Sequence, residues 1–252
     1  MSAFIDRTGE IGESRVCGPM VIVEYSGHKN IIVKFQTGSL VKTSYHHFKK
    51  GGVKDPLFPS RYGFGFLGVG VHASSEGYKT ERVYETWSHM LGRVYGGQDT
   101  NRTRSYEGTS ICEEWGNFQT FGDWFVDNFY EVPGEVMELD KDIVKKGNKV
   151  YCPGMCSFVP KPINSLFNLY LNGRGGLPLG VCFNKSKQRY QAQITQDGIH
   201  KTLGYFDHPE KAFRVYKTAK EENIKRMAER YVQYLPSKVY NTLVNYEVEI
   251  TD

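Results

Sequence analysis

GVCFNKSKQRYQAQITQDGIHKTLGYFDHPEKAFRVYKTAK (residues 180–220) reads as three short strands followed by a helix. The strands are GVCFN, RYQAQIT and HKTLGYF. Lys185-Ser186-Lys187 and Gln196-Asp197-Gly198 separate them, and Asp-Gly is a favoured pair for a tight hairpin turn. Asp207 or His208 can cap the helix, with Pro209 at its first position. Ala212, Phe213, Tyr216 and Ala219 give that helix an apolar face. In the middle strand Arg189, Gln191 and Gln193 point one way and Tyr190, Ala192 and Ile194 the other. The helix is expected to cover the Tyr/Ala/Ile face, which leaves the Arg/Gln face to solvent.

Working outward, Asn172-Gly173-Arg174-Gly175-Gly176 reads as a flexible linker. Before it, MELDKDIV (137–144) alternates, Lys145 to Lys149 is turn material, and VYCPGMCSFVP (150–160) leads to a helix start at Pro162-Ile163-Asn164. That order is hairpin, loop, helix. Val83, Trp87, Met90, Leu91 and Val94 recur at helical spacing over 81–95, closed by Gly96-Gly97, with Arg93, Arg102 and Arg104 around the polar loop that follows. A second helix is expected from Glu113 to about Phe129, where Trp115, Phe118, Phe121 and Phe125 share a face that packs against the first. Residues 17–70 read as a small curled β-meander or partial barrel, from MVIVEY (20–25), NIIVKF (30–35) and LVKTSYHHF (40–48), followed by irregular Gly/Pro-rich chain. The expected fold is therefore α+β and multidomain. A small β domain spans 1–75, a central helical and ββα module 76–172, a linker 173–177, the three-stranded sheet and helix 178–232, and a tail 233–252.

Composition supports small modules. Hydrophobic residues make up 39% and aromatic residues 14%, so rings fill cores that aliphatic side chains would underfill. No apolar run is long enough to span a membrane, and the start MSAFIDRTGE lacks a cationic stretch followed by an apolar one. Five cysteines, an odd number, fit reduced thiols in a cytoplasm better than a disulfide framework. The net charge of +4 is unevenly spread: residues 111–142 carry 1 Lys+Arg against 9 Asp+Glu, while 143–177 carry 5 against 0 and 178–232 carry 11 against 6. The basic segments suit a phosphate backbone, and the acidic one needs a metal, a basic partner or water.

Four groups of residues carry candidate chemistry. The Arg189/Gln191/Gln193 face has two readings. It is the polar outer face of an ordinary two-layer module, or it reads base edges, since Arg pairs bidentately with guanine and Gln with adenine. Asp140 and Asp142 alternate around Lys141, which would place both carboxylates on one strand face where they can share magnesium or manganese, with Asn164 as a third oxygen; surface Asp-Lys-Asp triplets without a metal are the plainer reading. His46 and His47 are expected on opposite faces of a strand, a poor joint metal site. Cys152 and Cys156 lack a second Cys/His pair at close spacing, so zinc is not expected.

Two resemblances sharpen these readings. Residues 180–220 are similar to the APETALA/ethylene-response-factor type of DNA-binding domain. The similarity rests on Gly180-Val181, the strand Arg189 to Ile194, Leu203-Gly204-Tyr205-Phe206, and Glu210-Lys211-Ala212-Phe213 leading to Tyr216 and Ala219. That resemblance implies a sheet seated in the major groove, with Arg189, Gln191, Gln193 and Lys201 as candidate contacts; Lys185 and Lys187, in the first turn, are further DNA-binding candidates. Tyr190 stands where the family usually has tryptophan. LDKDIVKKGNKVYCPGMCSFVPKPINSLF (139–167) resembles the hairpin–loop–helix of HNH (His-Me finger) nucleases, above all the phage-encoded homing-type subset. The upstream pattern Trp87-Ser-His-Met90, Tyr106-Glu-Gly, Ile111-Cys-Glu-Glu-Trp115 and Phe118-Gln-Thr-Phe121 extends it. By that resemblance Asp140 and Asn164 are the metal ligands. Lys141 departs from it, standing where a histidine base would be.

Together these imply a homing-type DNA endonuclease of phage or mobile-element origin, acting on double-stranded DNA in the host cytoplasm with magnesium or manganese. His89 or His72 then supplies the base, or Asp142 positions a metal-bound hydroxide. The alternative is a catalytically inactive, sequence-specific DNA-binding protein on a degenerate nuclease scaffold.

Overall fold

A computed structural model describes residues 4–72, 77–97, 106–167 and 176–251. Arg102, Arg104 and most of the expected linker lie outside the described residues. The fold is α+β. The chain forms two compact units, Met1–Asn128 with Lys149–Pro153, and Phe129–Asn148 with Gly154–Asp252. The chain thus passes between units inside the stretch 76–172 expected to form one central module.

The first unit opens with a four-stranded antiparallel meander, β1 (Ile11–Ser14), β2 (Gly18–Tyr25), β3 (Ile31–Phe35) and β4 (Leu40–Thr43), in sequential order. Alternation sends Met20, Ile22, Ile31, Val33 and Phe35 inward, where Phe48 and Val53 complete the core. A bulge between Ile22 and Glu24 leaves both Val23 and Glu24 outward and lets Tyr25 face in. Asp55 ties the β3–β4 turn: its carboxylate accepts from Ser39 Oγ at 2.6 Å and Thr37 Oγ1 at 2.7 Å. The strand expected over 40–48 stops at Thr43. Ser44 Oγ accepts from His47 N at 3.3 Å and caps a short helix, α1 (Tyr45–Lys49). His46 and His47 therefore sit on a helical turn, not on strand faces.

Next come α2 (Gly77–Tyr95), a 3-10 turn (Glu113–Gly116) and α3 (Phe118–Asn128). Trp87, Met90, Leu91, Trp115, Phe118, Phe121 and Phe125 are buried, and Trp87 Nε1 donates to Trp115 O at 2.7 Å. The rings pack as core, with Trp87–Phe118 centroids 5.3 Å apart and Trp115–Phe121 5.1 Å apart. The single helix expected over 113–129 is broken at Asn117 because the chain there bridges to Phe66: Phe66 N donates to Gly116 O and Phe118 N to Phe66 O, each at 2.9 Å. β5 (Ser110–Ile111) pairs in parallel with β7 (Val150–Tyr151).

The second unit contains β6 (Met137–Asp140) paired antiparallel with β8 (Ser157–Pro160), then α4 (Lys161–Asn164) and a 3-10 turn (Ser165–Phe167). The runs 137–144 and 150–160 do pair antiparallel as expected, but only at their far ends. β6 ends at Asp140, its partner begins at Ser157, and Val150–Tyr151 pairs with β5 instead. β9 (Val181–Asn184), β10 (Arg189–Gln196) and β11 (Ile199–Phe206) make the C-terminal sheet in the order β11-β10-β9. The helix α5 (Pro209–Arg230) packs on it, starting after His208. The tail expected over 233–252 contains a helix, α6 (Ser237–Val244), which buries Val239 and Leu243. Val248 is held by Glu221 Oε1, which accepts its N–H at 2.8 Å, and by Lys217 Nζ, which donates to its carbonyl at 2.7 Å.

Candidate nucleic-acid interface

Register assigns each side chain of the C-terminal sheet to a face. Ala192 lies between Val181 and Gly204, and Tyr190 between Phe183 and Phe206. Ala192, Ile194 and Val181 are buried beneath α5, beside Ala212, Phe213 and Tyr216. Gly180 has φ +71°, and a Cβ there would collide with the Tyr216 ring, so glycine alone lets the sheet edge approach the helix. The opposite face carries Asn184 beside Arg189, Cys182 and Tyr205 beside Gln191, and Thr202 beside Gln193.

That outer face is partly ordered by its own bonds. Asn184 Nδ2 donates to Gln191 Oε1 at 3.0 Å, and Gln191 Nε2 donates to Thr202 Oγ1 at 2.9 Å. The Gln191 amide is thus held with a fixed orientation. Lys187 Nζ sits 3.7 Å from the Tyr205 ring centroid, a cation–π contact that leaves its charge at the rim. Lys185 and Ser186 share the β9–β10 turn with it, and Asn184 Oδ1 accepts from Ser186 Oγ at 2.8 Å and Lys187 N at 3.0 Å. Arg189 Nε lies 3.2 Å from Asp207 Oδ1, with both side chains more than half exposed. Across 178–206 the chain carries Lys185, Lys187, Arg189 and Lys201 against the single carboxylate Asp197, and Asp197 is paired with Arg226 at 2.9 Å.

Five of the six residues read from the sequence as DNA contacts, Arg189, Gln191, Gln193, Lys185 and Lys187, fall on this face or its rim. Lys201 does not. A bulge beside Ala192/Gln193 inserts Leu203, which sets Lys201 opposite buried Ile194, on the helix side, where Nζ donates to Gln196 Oε1 at 3.1 Å. Asn184, Thr202 and Tyr205 join the face without having been singled out. Their signal lay in the cross-strand register, which the bulge shifts. On the helix side of the module, a cavity of about 820 Å³ is lined by Leu166, Leu179, Ile194, Lys220, Asn223 and Met227, among others. Lys220 Nζ donates to Leu166 O at 2.6 Å, and burial lowers its pKa.

The central residues are arranged differently. Asp140 closes β6: its Oδ1 accepts the backbone N–H of Asp142 at 2.7 Å and of Ile143 at 2.6 Å. This turn takes Asp142 off the strand, so the two carboxylates do not share a strand face. Glu138, two residues before Asp140 on β6, does share its face, since Met137 and Leu139 are the buried alternates. Asn164 Nδ2 donates to Glu138 Oε2 at 2.6 Å, so the helix residue meets Glu138, which sequence reasoning had not picked out. Burial raises the Asp140 pKa, opposed by the two backbone N–H groups. Lys141 is buried, with Nζ 2.6 Å from Asp142 Oδ2.

His89 lies on α2, and His72 Nε2 lies 2.8 Å from Asp123 Oδ1, both in the first unit. All five cysteines are free thiols. Among the described residues no group of three or more His, Cys, Asp or Glu side chains is placed to hold a metal ion, and no helix is long and apolar enough to cross a membrane. Comparison with known protein families, characterised proteins and solved structures returned no match for this chain.

Proposed function

We propose that this chain binds double-stranded DNA through the outer face of β9–β11, with Arg189, Gln191 and Gln193 toward base edges and Lys185 and Lys187 toward phosphates. The observation that carries this reading is the face itself: cations and oriented amides, with no carboxylate on the strands. Such a surface attracts a polyanion and offers the donors and acceptors that distinguish base pairs. The likeness of residues 180–220 to a DNA-binding family supports the same reading. Titration of labelled duplex DNA at several salt concentrations tests it. Retention is expected at low salt. Replacing Lys185 and Lys187 by Ala should reduce the slope of log affinity against log salt by about 2, at roughly 0.9 for each phosphate no longer neutralised. Failure to retain duplex DNA even at low salt sinks the proposal.

A second reading, homing-type phosphodiester hydrolysis, is favoured by one observation. Glu138 and Asp140 share a strand face, and Asn164 joins Glu138. Two carboxylates and an amide oxygen are the hard ligands that magnesium or manganese takes, and a bound ion would offset charge on the scissile phosphate. Asp140 offers one oxygen to this role, its Oδ1 being committed to the turn. Lys141, which stands where the resemblance expects a histidine, has its Nζ bonded to Asp142 Oδ2, so in this reading the proton is taken by another group. Incubating supercoiled DNA with magnesium, wild type beside Asp140→Ala, decides it: nicking lost in the variant supports hydrolysis, and retention without nicking in either leaves DNA binding alone. Either activity would suit a reducing cytoplasm, in keeping with five cysteines that form no disulfide.

A further inference from the structure

We propose that Cys112 and Cys152 are an oxidation site, a thiol pair set to close as an intrachain disulfide across the parallel pair β5–β7. β5 and β7 run in register, Ser110 beside Val150 and Ile111 beside Tyr151. One step further along the same register, Cys112 stands beside Cys152. The ladder does reach this step: Ser110 N donates to Lys149 O at 2.8 Å and Cys112 N donates to Tyr151 O at 2.9 Å. The next bond in the series would need an N–H from residue 153, which is proline, so pairing ends there. Cys112 keeps an extended backbone, φ −61° and ψ 150°, before the 3-10 turn begins.

Neighbouring strands lie roughly 4.8 Å apart, and disulfides join residues whose Cα atoms are roughly 4.4–6.8 Å apart. Registered residues of adjacent strands project to the same side. Ile111 and Tyr151 are buried, and the two cysteines, on the alternate side, are half-buried, so an oxidant has access to them. Burial lifts the Cys112 thiol above its ordinary range, and nearby Cys152 adds to the rise. Closure is therefore faster at alkaline pH, where more of Cys112 is thiolate.

The oxidant class is a small disulfide such as oxidised glutathione. One cysteine thiolate attacks a glutathione sulfur, the glutathione S–S bond breaks, and one glutathione thiolate leaves. The second cysteine thiolate then attacks the protein sulfur of this mixed disulfide and expels the other glutathione. Two protein thiols are oxidised, and one glutathione disulfide is reduced to two thiols. The product joins the short return segment Lys149–Pro153 covalently to the chain 40 residues earlier (152 minus 112).

The test incubates the full chain with oxidised glutathione and maps peptides by mass spectrometry without reduction. A Cys112–Cys152 linked peptide is expected, with free thiols falling from five to three. Cys156→Ser should leave that link unchanged. Cys112→Ser should abolish it and leave Cys152 carrying glutathione, and Cys152→Ser should do the converse. Thermal melts establish that each variant is folded. A Cys152–Cys156 link, an intermolecular disulfide, or glutathione on both Cys112 and Cys152 of the wild type with no link between them overturns the proposal.

Discussion

The outer face of β9–β11 and the Glu138/Asp140 face of β6 are both polar, in opposite senses. On the first, amides are bonded to one another, cations stand at the rim, and Gln193 makes no side-chain hydrogen bond among the described residues. On the second, two carboxylates share a strand face, Asp140 committed to two backbone N–H groups and Glu138 to Asn164. A phosphate backbone is drawn to the first and repelled by the second unless a cation intervenes. In the two proposed readings, holding DNA and cutting it would therefore rest on side chains of different sign in different elements.

The largest expected effect breaks the first face from beneath. Ile194 is 4% exposed under α5, and Ile194→Ala should cost about 2–5 kcal/mol of stability, read from urea denaturation. Gln193→Ala, one residue away and facing out, should change stability by less than about 0.5 kcal/mol. In the proposed reading it should instead weaken binding to a preferred duplex by about 1–3 kcal/mol, read from anisotropy titration. Equal stability losses in the two variants would show that the face assignment is wrong.

The two regions were also unequally legible in the sequence. β9–β11 and the N-terminal meander are antiparallel strands joined by tight turns, so strand neighbours in space are neighbours in sequence, and alternation alone assigned Ala192 and Ile194 to the core. What it missed there were the bulges at Val23 and Leu203, since an added residue reverses the face of everything after it, as with Lys201. The middle of the chain reads as one hairpin because its runs are adjacent in sequence. The two runs do pair, β6 with β8, but Val150–Tyr151 leaves the second run to join the distant β5, and strands of two to four residues have too little period to reveal where a pairing starts and stops. Pairing Asp142 with Asp140 assumes that the strand continues. The side chain of Asp140 ends it, and that hid Glu138 as the carboxylate on the same strand face. The α6 helix had a signal that went unused, Val239 and Leu243 four residues apart after Pro236.

The next effect concerns Asp140. Its carboxylate orders the turn after β6, so Asp140→Ala leaves two backbone donors without their acceptor and should cost about 1–3 kcal/mol. Asp140→Asn keeps an acceptor oxygen and should cost much less. A pH series separates charge from hydrogen bonding. Burial raises this carboxyl above its unfolded value, so the folded state binds the proton more tightly. The stability it contributes is complete below the unfolded carboxylate pKa and is lost as pH rises through the raised value. Asp140→Asn has no such loss. The stability of Asp140→Asn relative to wild type should therefore increase as pH rises through that window and level off above it. A gap that moves the other way with pH would contradict a raised pKa. For the second reading the same variant is informative, since amide for carboxylate spares the turn but weakens a metal ligand. Folded protein that has lost nicking would assign Asp140 to chemistry.

The smallest expected effect is the most selective between faces. Arg189 Nε meets Asp207 Oδ1 at 3.2 Å with both side chains more than half exposed. An exposed pair of this kind contributes less than about 1 kcal/mol, so Asp207→Asn should hardly move the urea midpoint. It does remove the only carboxylate partner of Arg189 among the described residues, at the edge of the face proposed to meet DNA. If Arg189 turns toward a guanine or a phosphate, releasing it should tighten duplex binding a few-fold at low salt. The gain should fade as salt screens the charge difference over a Debye length of about 10 Å at 0.1 M. Glu138→Gln removes a negative charge too, but from the β6 face, and it should leave affinity unchanged if the outer sheet face alone holds the duplex. A gain from Glu138→Gln with none from Asp207→Asn would move the DNA contact from the C-terminal sheet to the acidic strand.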